Sequence, residues 1–204
     1  MDAATITPRL QAGRDGGVPC SALFGVIYCD PPWRRDNDVP ESSVDNHYPT
    51  MTTAEICALK IPAKKHCLLL MWAIVPMMPE AFDVLKAWGF KYKSQLVWDK
   101  LRTGCGWWVR NQHEVLIIAT RGNVRTPPPP LRIPSVFRAK RGKHSSKPDQ
   151  IRDWIAKWNP TEKKLEMFAR PYTEMWPKHE GWETWGNELP NDVEMTPNNR
   201  ICDT

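Results

Sequence analysis

A short apolar run that ends in a carboxylate and two prolines constrains the fold of this chain more than any other stretch. Residues 24–29 are apolar on both alternations, which predicts a strand buried on both faces of an α/β sheet. Pro31 and Pro32 cannot continue a sheet ladder, so the chain leaves the sheet there. Asp30 and Trp33 are therefore expected at the carboxyl end of a strand, where open α/β sheets bind their ligands.

The totals of the sequence indicate one α/β domain with a sizeable core, because 204 residues are 41% hydrophobic and 25% charged. No apolar run is long enough to span a bilayer, and no charged-then-apolar leader opens the chain. We therefore expect a cytoplasmic protein without membrane contact. The six cysteines show no C-x-x-C spacing. They are typical of core thiols in a reducing cytosol, and neither a metal site nor a disulfide is expected.

Hydrophobic periodicity predicts alternating strands and helices between an irregular lead-in (1–22) and a flexible tail (190–204), so the domain is expected over 23–189. The predicted strands are 24–29, 67–74, 92–98, 114–120 and 165–169, and the predicted helices begin at 52 or span 76–88 and 150–158. The strands 92–98 and 114–120 are expected to pair antiparallel. This order predicts a doubly wound, Rossmann-like α/β sheet, mostly parallel with an antiparallel hairpin.

The segment 121–147 makes the protein basic, since it holds eight of the Lys and Arg residues and no acid. Taking those eight charges from the net charge of +5 leaves −3 for the rest of the chain. Four consecutive prolines at 127–130 favour extended polyproline geometry, so we expect an irregular basic loop. Such a segment is either a solvated face or a clamp on nucleic-acid phosphates.

The Asp-Pro-Pro-Trp run carries groups that suit chemistry on a planar exocyclic amine. Asp30 can accept N–H bonds and stabilise charge that builds on nitrogen, while prolines leave their carbonyls free and remove competing donors. Trp33 offers a flat face on which a base can stack. The alternative is a turn in which Asp30 caps the following loop and Trp33 packs into the core.

Blocks of sequence along the chain resemble one known family, in that family's order. They are DPPW at 30–33, HYPTM at 47–51, LLLMWAIVPMMPEA at 68–81, WGFKYKSQLVWDK at 88–100, RNQHEVLIIATRG at 110–122, HSSKPD at 144–149, LEMFAR at 165–170 and WGNE at 185–188. From about residue 24 to 189, the chain resembles the MT-A70 group of S-adenosylmethionine-dependent adenine-N6 methyltransferases. The resemblance implies a permuted order, with the catalytic strand first and the cofactor strand last.

This resemblance implies roles for the residues around the target base. The implied catalytic residues are Asp30, Pro31, Pro32 and Trp33. Tyr48 is expected beside the base, although a tyrosine there could also pack on Met51. Glu114 matches a family acid near the nucleoside, but His113 and Glu114 alternate along a strand, so only one of them can face the site. A lone polar residue at such a position also often faces solvent.

The cofactor implied by the resemblance is S-adenosylmethionine, and no metal is required. The implied cofactor-binding residues are Asp30, Lys147, Phe168, Arg170, Asn187 and Glu188. Lys147 would contact the methionine end, and Asn187 and Glu188 suit ribose hydroxyls. Lys147 is otherwise one more solvated charge, and Asn187 and Glu188 a polar turn. Family members often carry an upstream acid that reads the cofactor adenine, and Asp15 is only a weak match.

The expected partner is nucleic acid, with DNA favoured over RNA because the chain is compact. The basic residues expected to bind substrate are Arg121, Arg138, Lys140 and Arg141. Trp107 and Trp108 are a second candidate for contacting a displaced strand, with core packing as the alternative. The implied reaction is methylation of adenine N6. RNA adenosine N6, DNA cytosine N4 and a non-catalytic nucleic-acid-binding subunit stay open, as does a homo- or heterodimer.

Overall fold

The computed structural model describes residues 23–34, 49–106, 108–142, 146–172, 178–187, 189–193 and 195. The strands are β1 (Phe24–Cys29), β2 (Ala63–Ala73), β3 (Lys91–Asp99), β4 (His113–Arg121), β5 (Val136–Arg138), β6 (Lys164–Met167) and β7 (Trp182–Trp185). The α-helices are α1 (Thr53–Ala58), α2 (Met78–Ala87) and α3 (Gln150–Trp158). The predicted lead-in 1–22 lies outside the described residues, and no helix within them is long and apolar enough to cross a bilayer.

Within the described residues, the seven strands form one sheet in the order β5-β3-β4-β2-β1-β6-β7. Strand β4 pairs antiparallel with β2 and β3, and the other neighbouring pairs are parallel. This confirms the predicted Rossmann-like, mostly parallel sheet and its antiparallel β3–β4 hairpin. Because β4 is reversed, its amino end meets the carboxyl ends of the other six strands at one edge, which we call the carboxyl edge.

Strand β1 lies at the point where the direction of winding reverses. The chain first adds β2 on one side of β1 and later returns to add β6 on the other side. Diverging connections leave a crevice outside the carboxyl ends of such strands, and ligands of open α/β sheets bind there. Asp30 follows β1 directly, so the fold sets this residue at the crevice.

Both faces of the sheet are covered, which explains why β1 is apolar on both alternations. Ile27 and Cys29 pack in a core with side chains from α1 and α2. Val26 and Tyr28 pack in a second core with Trp154 and its neighbours on α3. The whole of β1 is buried, so the central strand is a rigid support for the residues that follow it.

The helix predicted to begin at 52 is α1, and Thr52 is its N-cap. Glu55 donates its backbone N–H to Thr52 Oγ1 at 3.2 Å, and Thr52 donates its own N–H to Glu55 Oε2 at 2.8 Å. This reciprocal pair is a capping box. The next predicted helix starts later than expected, since a 3₁₀ turn over Val75–Met77 comes before α2. Helix α2 ends before Gly89, whose φ of 73° suits glycine.

The basic segment departs from its prediction, because it contributes a strand to the sheet rather than only an irregular loop. A 3₁₀ turn forms over Pro129–Leu131, and β5 then pairs parallel with β3. The Trp154 indole on α3 donates to the Leu131 carbonyl at 2.7 Å. The prolines thus shape one turn, while a three-residue strand satisfies the edge of β3.

Three predicted boundaries are also wrong. Strand β2 begins at Ala63, four residues earlier than predicted. Residues 64–66 are polar and interrupt the apolar pattern from which the strand was predicted. Strand β6 ends at Met167, before the positive φ of 60° at Phe168. Part of the tail predicted as flexible is packed, since Met195 is buried in the same core as Trp185 of β7. Asp192 Oδ2 accepts 2.8 Å bonds from the Thr184 N–H and hydroxyl, and 196–204 lie outside the described residues.

Candidate active site

The carboxylate of Asp30 forms a close ion pair at the carboxyl edge of the sheet. Lys147 Nζ lies 2.7 Å from Asp30 Oδ2. The Lys147 side chain is 9% exposed and that of Asp30 is 28% exposed, so the lysine is covered while the carboxylate keeps an open side. Lys147 lies three positions before Gln150, the first residue of α3, so its side chain reaches the edge from the start of that helix.

Glu114 shares the same lysine. Its Oε2 lies 3.2 Å from Lys147 Nζ, and its Oε1 lies 3.2 Å from Lys100 Nζ. The Glu114 side chain is 12% exposed. Four charged groups therefore alternate in sign from Asp30 through Lys147 and Glu114 to Lys100, and their formal charges cancel. We call this row the charge chain.

The charge chain settles which residue of the alternating pair faces the site. Glu114 contacts Lys147, and the solvent-facing alternative for this carboxylate is wrong. Lys147 is not a solvated charge either, since its ammonium lies 5.7 Å from the centre of the Trp72 ring as well as between two carboxylates. A ring face attracts a cation electrostatically. The predicted contacts of Glu114 with a nucleoside and of Lys147 with a cofactor stay predictions.

The protonation states of the chain follow from burial and neighbouring charges. Burial raises the pKa of Asp30 above its ordinary value and Glu114 adds to this, although Lys147 opposes the shift. Burial also acts to raise the pKa of Glu114, but Lys147 and Lys100 outweigh it and the pKa falls. Burial works against the charge on Lys147, but the two carboxylates outweigh it and raise its pKa. Lys147 therefore stays protonated, while burial disfavours the charge on Asp30 and the two lysines favour the charge on Glu114.

The two prolines after Asp30 hold the chain in a tight turn. The Pro31 carbonyl accepts the Trp33 N–H at 2.9 Å, and the Pro32 carbonyl accepts the Met51 N–H at 2.8 Å. The prediction that these carbonyls are free is therefore wrong. A carbonyl oxygen has two lone pairs, so each can accept one further bond from a ligand amine.

Trp33 packs in the core that includes α1 and α2, and its side chain is only 8% exposed. Its indole donates to the Trp72 carbonyl at 3.2 Å, and its backbone forms a bridge to Met51. The packing role that the sequence left open is therefore present in the structure. Trp33 fixes the turn after Asp30, while the predicted stacking on a base has little ring surface to use.

Two residues of the site were missed by sequence reasoning, Lys100 and Trp72. Trp72 lies inside an apolar strand, and its indole donates to the Tyr28 hydroxyl at 2.7 Å while its ring faces Lys147. Lys100 directly follows β3 at the carboxyl edge. The signal available in the sequence was a cation just after a predicted strand. The contact between Lys100 and Glu114 depends on the β3–β4 register, which the sequence does not reveal.

The ends of β6 and β7 bring the predicted cofactor residues to the same edge. Phe168 has a φ of 60° and packs edge-to-face on Trp185 with ring centroids 5.4 Å apart. Ala169 donates its N–H to the Trp185 carbonyl at 3.0 Å. Arg170 is exposed, and its charge acts to lower the pKa of Asp30, so the guanidinium lies on the side of the site.

A close backbone approach joins these two strand ends. A Cβ at Gly186 would lie 2.2 Å from the Ala169 carbonyl oxygen, so only glycine fits there. Asn187 follows it and is exposed. Tyr48 and Glu188, together with Asp15 and Trp107, lie outside the described residues.

Arg121 is not at the site, which corrects the prediction that it binds substrate. It ends the reversed strand β4, so it lies at the opposite edge of the sheet. Its guanidinium bonds to the carbonyls of Ala63 and Lys64 and lies 5.6 Å from the centre of the Phe90 ring. The direction of β4 decides this, and charge counting cannot reveal it.

The other predicted substrate-binding cations lie on the carboxyl edge. Arg138 ends β5, its side chain is 75% exposed, and its Nε lies 3.3 Å from Asp99 Oδ2. Lys140 and Arg141 follow and are exposed. These residues lie at or just after the end of β5, the outermost strand of the sheet on the side of β3. Among the residues that the structure describes, no group of three or more His, Cys, Asp or Glu could hold a metal ion.

Comparison with known proteins finds one matching family and several similar methyltransferases. The MT-A70 family matches residues 24–188. The type II methyltransferase M.MunI of a Mycoplasma species is 31% identical over an alignment of 200 residues, which covers 87% of this chain and 83% of that protein. The human N(6)-adenosine-methyltransferase catalytic subunit METTL3 is 29% identical over an alignment of 175 residues, which covers 81% of this chain and 28% of that protein. A Drosophila melanogaster N(6)-adenosine-methyltransferase MT-A70-like protein is 30% identical over 175 residues, with 81% and 27% covered.

The sheet, with its acidic residue at the point of reversal, defines a Rossmann-like methyltransferase domain. The chain belongs to the MT-A70 family of methyltransferases. It spans about a quarter of the length of the human and insect relatives and most of the length of the Mycoplasma one.

Proposed function

We propose that this methyltransferase moves the methyl group of S-adenosylmethionine to the exocyclic N6 amine of adenine in DNA. The observation that carries the proposal is Asp30, an acidic group at the switch point, paired to a buried lysine at 2.7 Å. The names of the human and insect relatives support adenosine N6 as the target atom.

The residues present fit S-adenosylmethionine. Lys147 is a protonated cation suited to a carboxylate, and the exposed amide of Asn187 is suited to hydroxyls. Phe168 and Arg170 follow the end of β6, the strand that pairs with β7, and Asn187 and Glu188 follow the end of β7 in sequence. When bound, the sulfonium of the cofactor supplies an activated methyl group.

The part played by the protein is to accept and orient the amine. Asp30 as a carboxylate accepts several hydrogen bonds, so it can hold Lys147 and still accept an amine N–H. The second lone pairs of the Pro31 and Pro32 carbonyls provide further acceptors for the N–H groups. Acceptors aimed at a nitrogen that gains positive charge stabilise that charge in the transition state.

Glu114 limits how far Lys147 neutralises the charge of Asp30, and Lys100 is the second cation paired with Glu114. A lone Lys147 would neutralise Asp30 and weaken its effect on the amine. Because Lys147 is shared with Glu114, Asp30 keeps part of its negative field. The site residues therefore orient the base and stabilise the charge that builds on its amine.

DNA is taken as the substrate by similarity to M.MunI, the type II methyltransferase that is matched over 83% of its own length. The adenosine methyltransferases are matched over about a quarter of theirs. RNA adenosine N6 is the second candidate, because the names of those relatives specify adenosine.

A nucleoside analysis tests the proposal. The protein is incubated with methyl-labelled S-adenosylmethionine and unmethylated phage DNA, or total RNA, and the nucleic acid is digested to nucleosides. We expect label in N6-methyldeoxyadenosine. Label only in N4-methyldeoxycytidine would overturn the adenine assignment, and label only in RNA would overturn the DNA assignment.

A matched pair of variants tests the residue assignment. Asp30→Ala should abolish incorporation, whereas Asp83→Ala, an exposed aspartate on α2, should leave it intact. Absence of label with wild-type protein on every nucleic acid would favour a non-catalytic subunit. The name "catalytic subunit" of the human relative makes a homo- or heterodimer part of this proposal, and sedimentation of the purified chain measures it.

A further inference from the structure

We propose that Trp108 stacks into duplex DNA against the bases beside the extruded adenine, so that the loop over residues 100–112 is a wedge next to the active site. We call this segment the tryptophan loop. The inference rests on the proposed function, and it adds a contact that opens the duplex.

Trp108 is presented outward to a degree that packing cannot explain. Its side chain is 99% exposed, and Val109 beside it is 68% exposed. Leu101 at the start of the loop is 50% exposed. A tryptophan carries a large apolar surface that proteins normally bury. The core-packing alternative for Trp108 is therefore wrong, and clustered apolar groups on an exposed loop mark a contact surface.

Hydrogen bonds hold the stem of the tryptophan loop in one conformation. Leu101, at a φ of 58°, donates its N–H to Asp99 Oδ1 at 2.9 Å. Gly104 donates its N–H to the Asn111 carbonyl at 2.8 Å, and Arg110 Nε donates to the Gly104 carbonyl at 3.2 Å. A braced loop presents its tip with less loss of conformational entropy on binding than a free one.

Glycine lets the two sides of the loop approach each other below the tip. A Cβ at Gly106 would lie 1.9 Å from the Val109 carbonyl oxygen. Any side chain at that position would push the strands of the loop apart. The tight crossing projects Trp108 from the end of the β3–β4 hairpin rather than folding it back onto the sheet.

The stem of the loop is joined directly to the proposed catalytic groups. The Trp98↔Glu114 pair lies one step inside the last pair of β3 and β4. Lys100, the first residue of the loop, contacts Glu114, which contacts Lys147, and Lys147 contacts Asp30. The loop therefore rises from the carboxyl edge next to the site, where it can meet the strand that holds the target base.

The charge of the loop favours nucleic acid over a protein partner. Residues 100–112 contain the cations Lys100, Arg102 and Arg110 and no acid. Arg138, 75% exposed, ends the adjacent strand β5. A cationic rim around an exposed indole matches phosphates around stacked bases. A second copy of the same loop would bring like charges together, which disfavours a self-contact.

Extrusion of the target base creates a gap in the duplex that the Trp108 indole can fill. Removing a base from a duplex leaves a gap between its neighbours, and apolar wedges placed between base steps offset lost stacking. Aromatic rings stack on any base, so such a contact needs no sequence information. The tryptophan loop would then contribute to opening the duplex, and other residues would select the site.

The test compares Trp108→Ala and Trp108→Phe with Tyr92→Ala. Tyr92 is an exposed aromatic residue at the other end of β3, so it serves as the matched control. Binding to unmethylated phage DNA is measured by fluorescence anisotropy, with the DNA native or heat-denatured, at several salt concentrations. Binding does not depend on methyl transfer, so the result can be interpreted even if the proposed reaction fails.

We expect Trp108→Ala to weaken duplex binding about 5- to 100-fold, as the loss of one base–aromatic stack would. The loss on denatured DNA should be smaller, because no duplex has to be opened. Trp108→Phe should recover most of the affinity, and Tyr92→Ala should bind as the wild type does. The salt dependence of Trp108→Ala should be unchanged, since stacking releases no counterions.

Two results would overturn the inference. One is equal duplex affinity of Trp108→Ala and wild-type protein. The other is a lower sedimenting mass for Trp108→Ala, which would make the loop a protein interface. If wild-type protein bound and opened duplex DNA but transferred no methyl group, the proposed function would fail and the wedge would stand.

Discussion

Within the described residues, Lys147 and Arg152 are both mostly buried cations placed between two carboxylates, and the two arrangements differ in design. Lys147 lies between Asp30 and Glu114 at the carboxyl edge. Arg152 on α3 bonds to Asp149 at 2.9 Å and to both oxygens of Glu166. Lysine is a compact point charge, whereas the arginine fork fixes two parallel bonds.

The surroundings of the two cations sharpen this difference. The Arg152 guanidinium lies 5.1 Å from the centre of the buried Tyr28 ring, and its side chain is 15% exposed. Its partner Glu166 is 11% exposed. Lys147 is similarly covered, but its partner Asp30 is 28% exposed. A fixed, closed pair serves stability, while a point charge beside an open carboxylate leaves that carboxylate available to a ligand.

Of changes to the two buried cations, Lys147→Met should have the larger effect on activity. We expect methyl transfer at pH 7 to fall at least about 100-fold, because Asp30 would lose its counter-charge and take up a proton. Lys86→Met, on the exposed side of α2, is the control and should be active. A Lys147→Met enzyme within a few-fold of wild type would remove the lysine from the active site.

Arg152→Met should have the largest effect on stability. We expect the free energy of unfolding to fall by about 3 kcal/mol, since Glu166 would be left buried without a partner. Urea unfolding followed by circular dichroism measures this, with exposed Arg125→Met as the control near zero. Arg152→Lys should recover only part of the loss, because lysine cannot reproduce the fork. Full recovery would show that charge alone, without fork geometry, holds this pair.

Acidification should separate activity from stability. The pKa of Asp30 is raised, so the folded protein protonates it above its ordinary value of about 3.9, and activity falls as pH drops through that raised pKa. The pKa of Glu114 is lowered, so its stabilising pairs are complete above about 4.3 and are lost only as pH falls through its lower folded value.

Methyl-transfer rate and circular dichroism, recorded from pH 8 downward, measure the two losses. We expect the rate to decline in solutions where the protein is still folded. Coincident loss of rate and structure would contradict the separate roles of Asp30 and Glu114. Glu114→Gln should move the acid limb of the pH–rate profile to lower pH. It removes a neighbouring negative charge that raises the pKa of Asp30.

The smallest expected effects distinguish the two edges of the sheet. Lys140→Ala should reduce the slope of log affinity for DNA against log salt by about 1, as the loss of one phosphate contact does. Arg121→Met should leave that slope unchanged, because its guanidinium binds backbone carbonyls at the other edge. A reduced slope for Arg121→Met would bring that edge into the DNA interface.

Local patterns made the central part of the fold predictable. The run before Asp30 is apolar on both alternations and ends at two prolines, so both its burial and its end could be inferred. Strand β5 could not, because Val136–Arg138 is short and forms by completing the exposed edge of β3. Phe168 also escaped prediction, since a positive φ at a non-glycine residue is imposed by the tertiary structure.

The candidate site was likewise only partly predictable from local sequence patterns. The position of Asp30 follows from one strand and its breaker, and the motifs around it carry a family resemblance. The charge chain joins residues 30, 100, 114 and 147 from four separate parts of the sequence. Its contacts depend on the reversed direction of β4, which also takes Arg121 away from the site.

Single-turnover methyl transfer by Asp30→Asn tests the central claim most directly. Asparagine keeps the shape of the side chain and removes its negative charge, so folding should be retained. We predict a rate about 100- to 1,000-fold below wild type, the usual effect of removing one group that stabilises transition-state charge. An Asp30→Asn rate within about twofold of wild type would contradict the assignment of this carboxylate to catalysis.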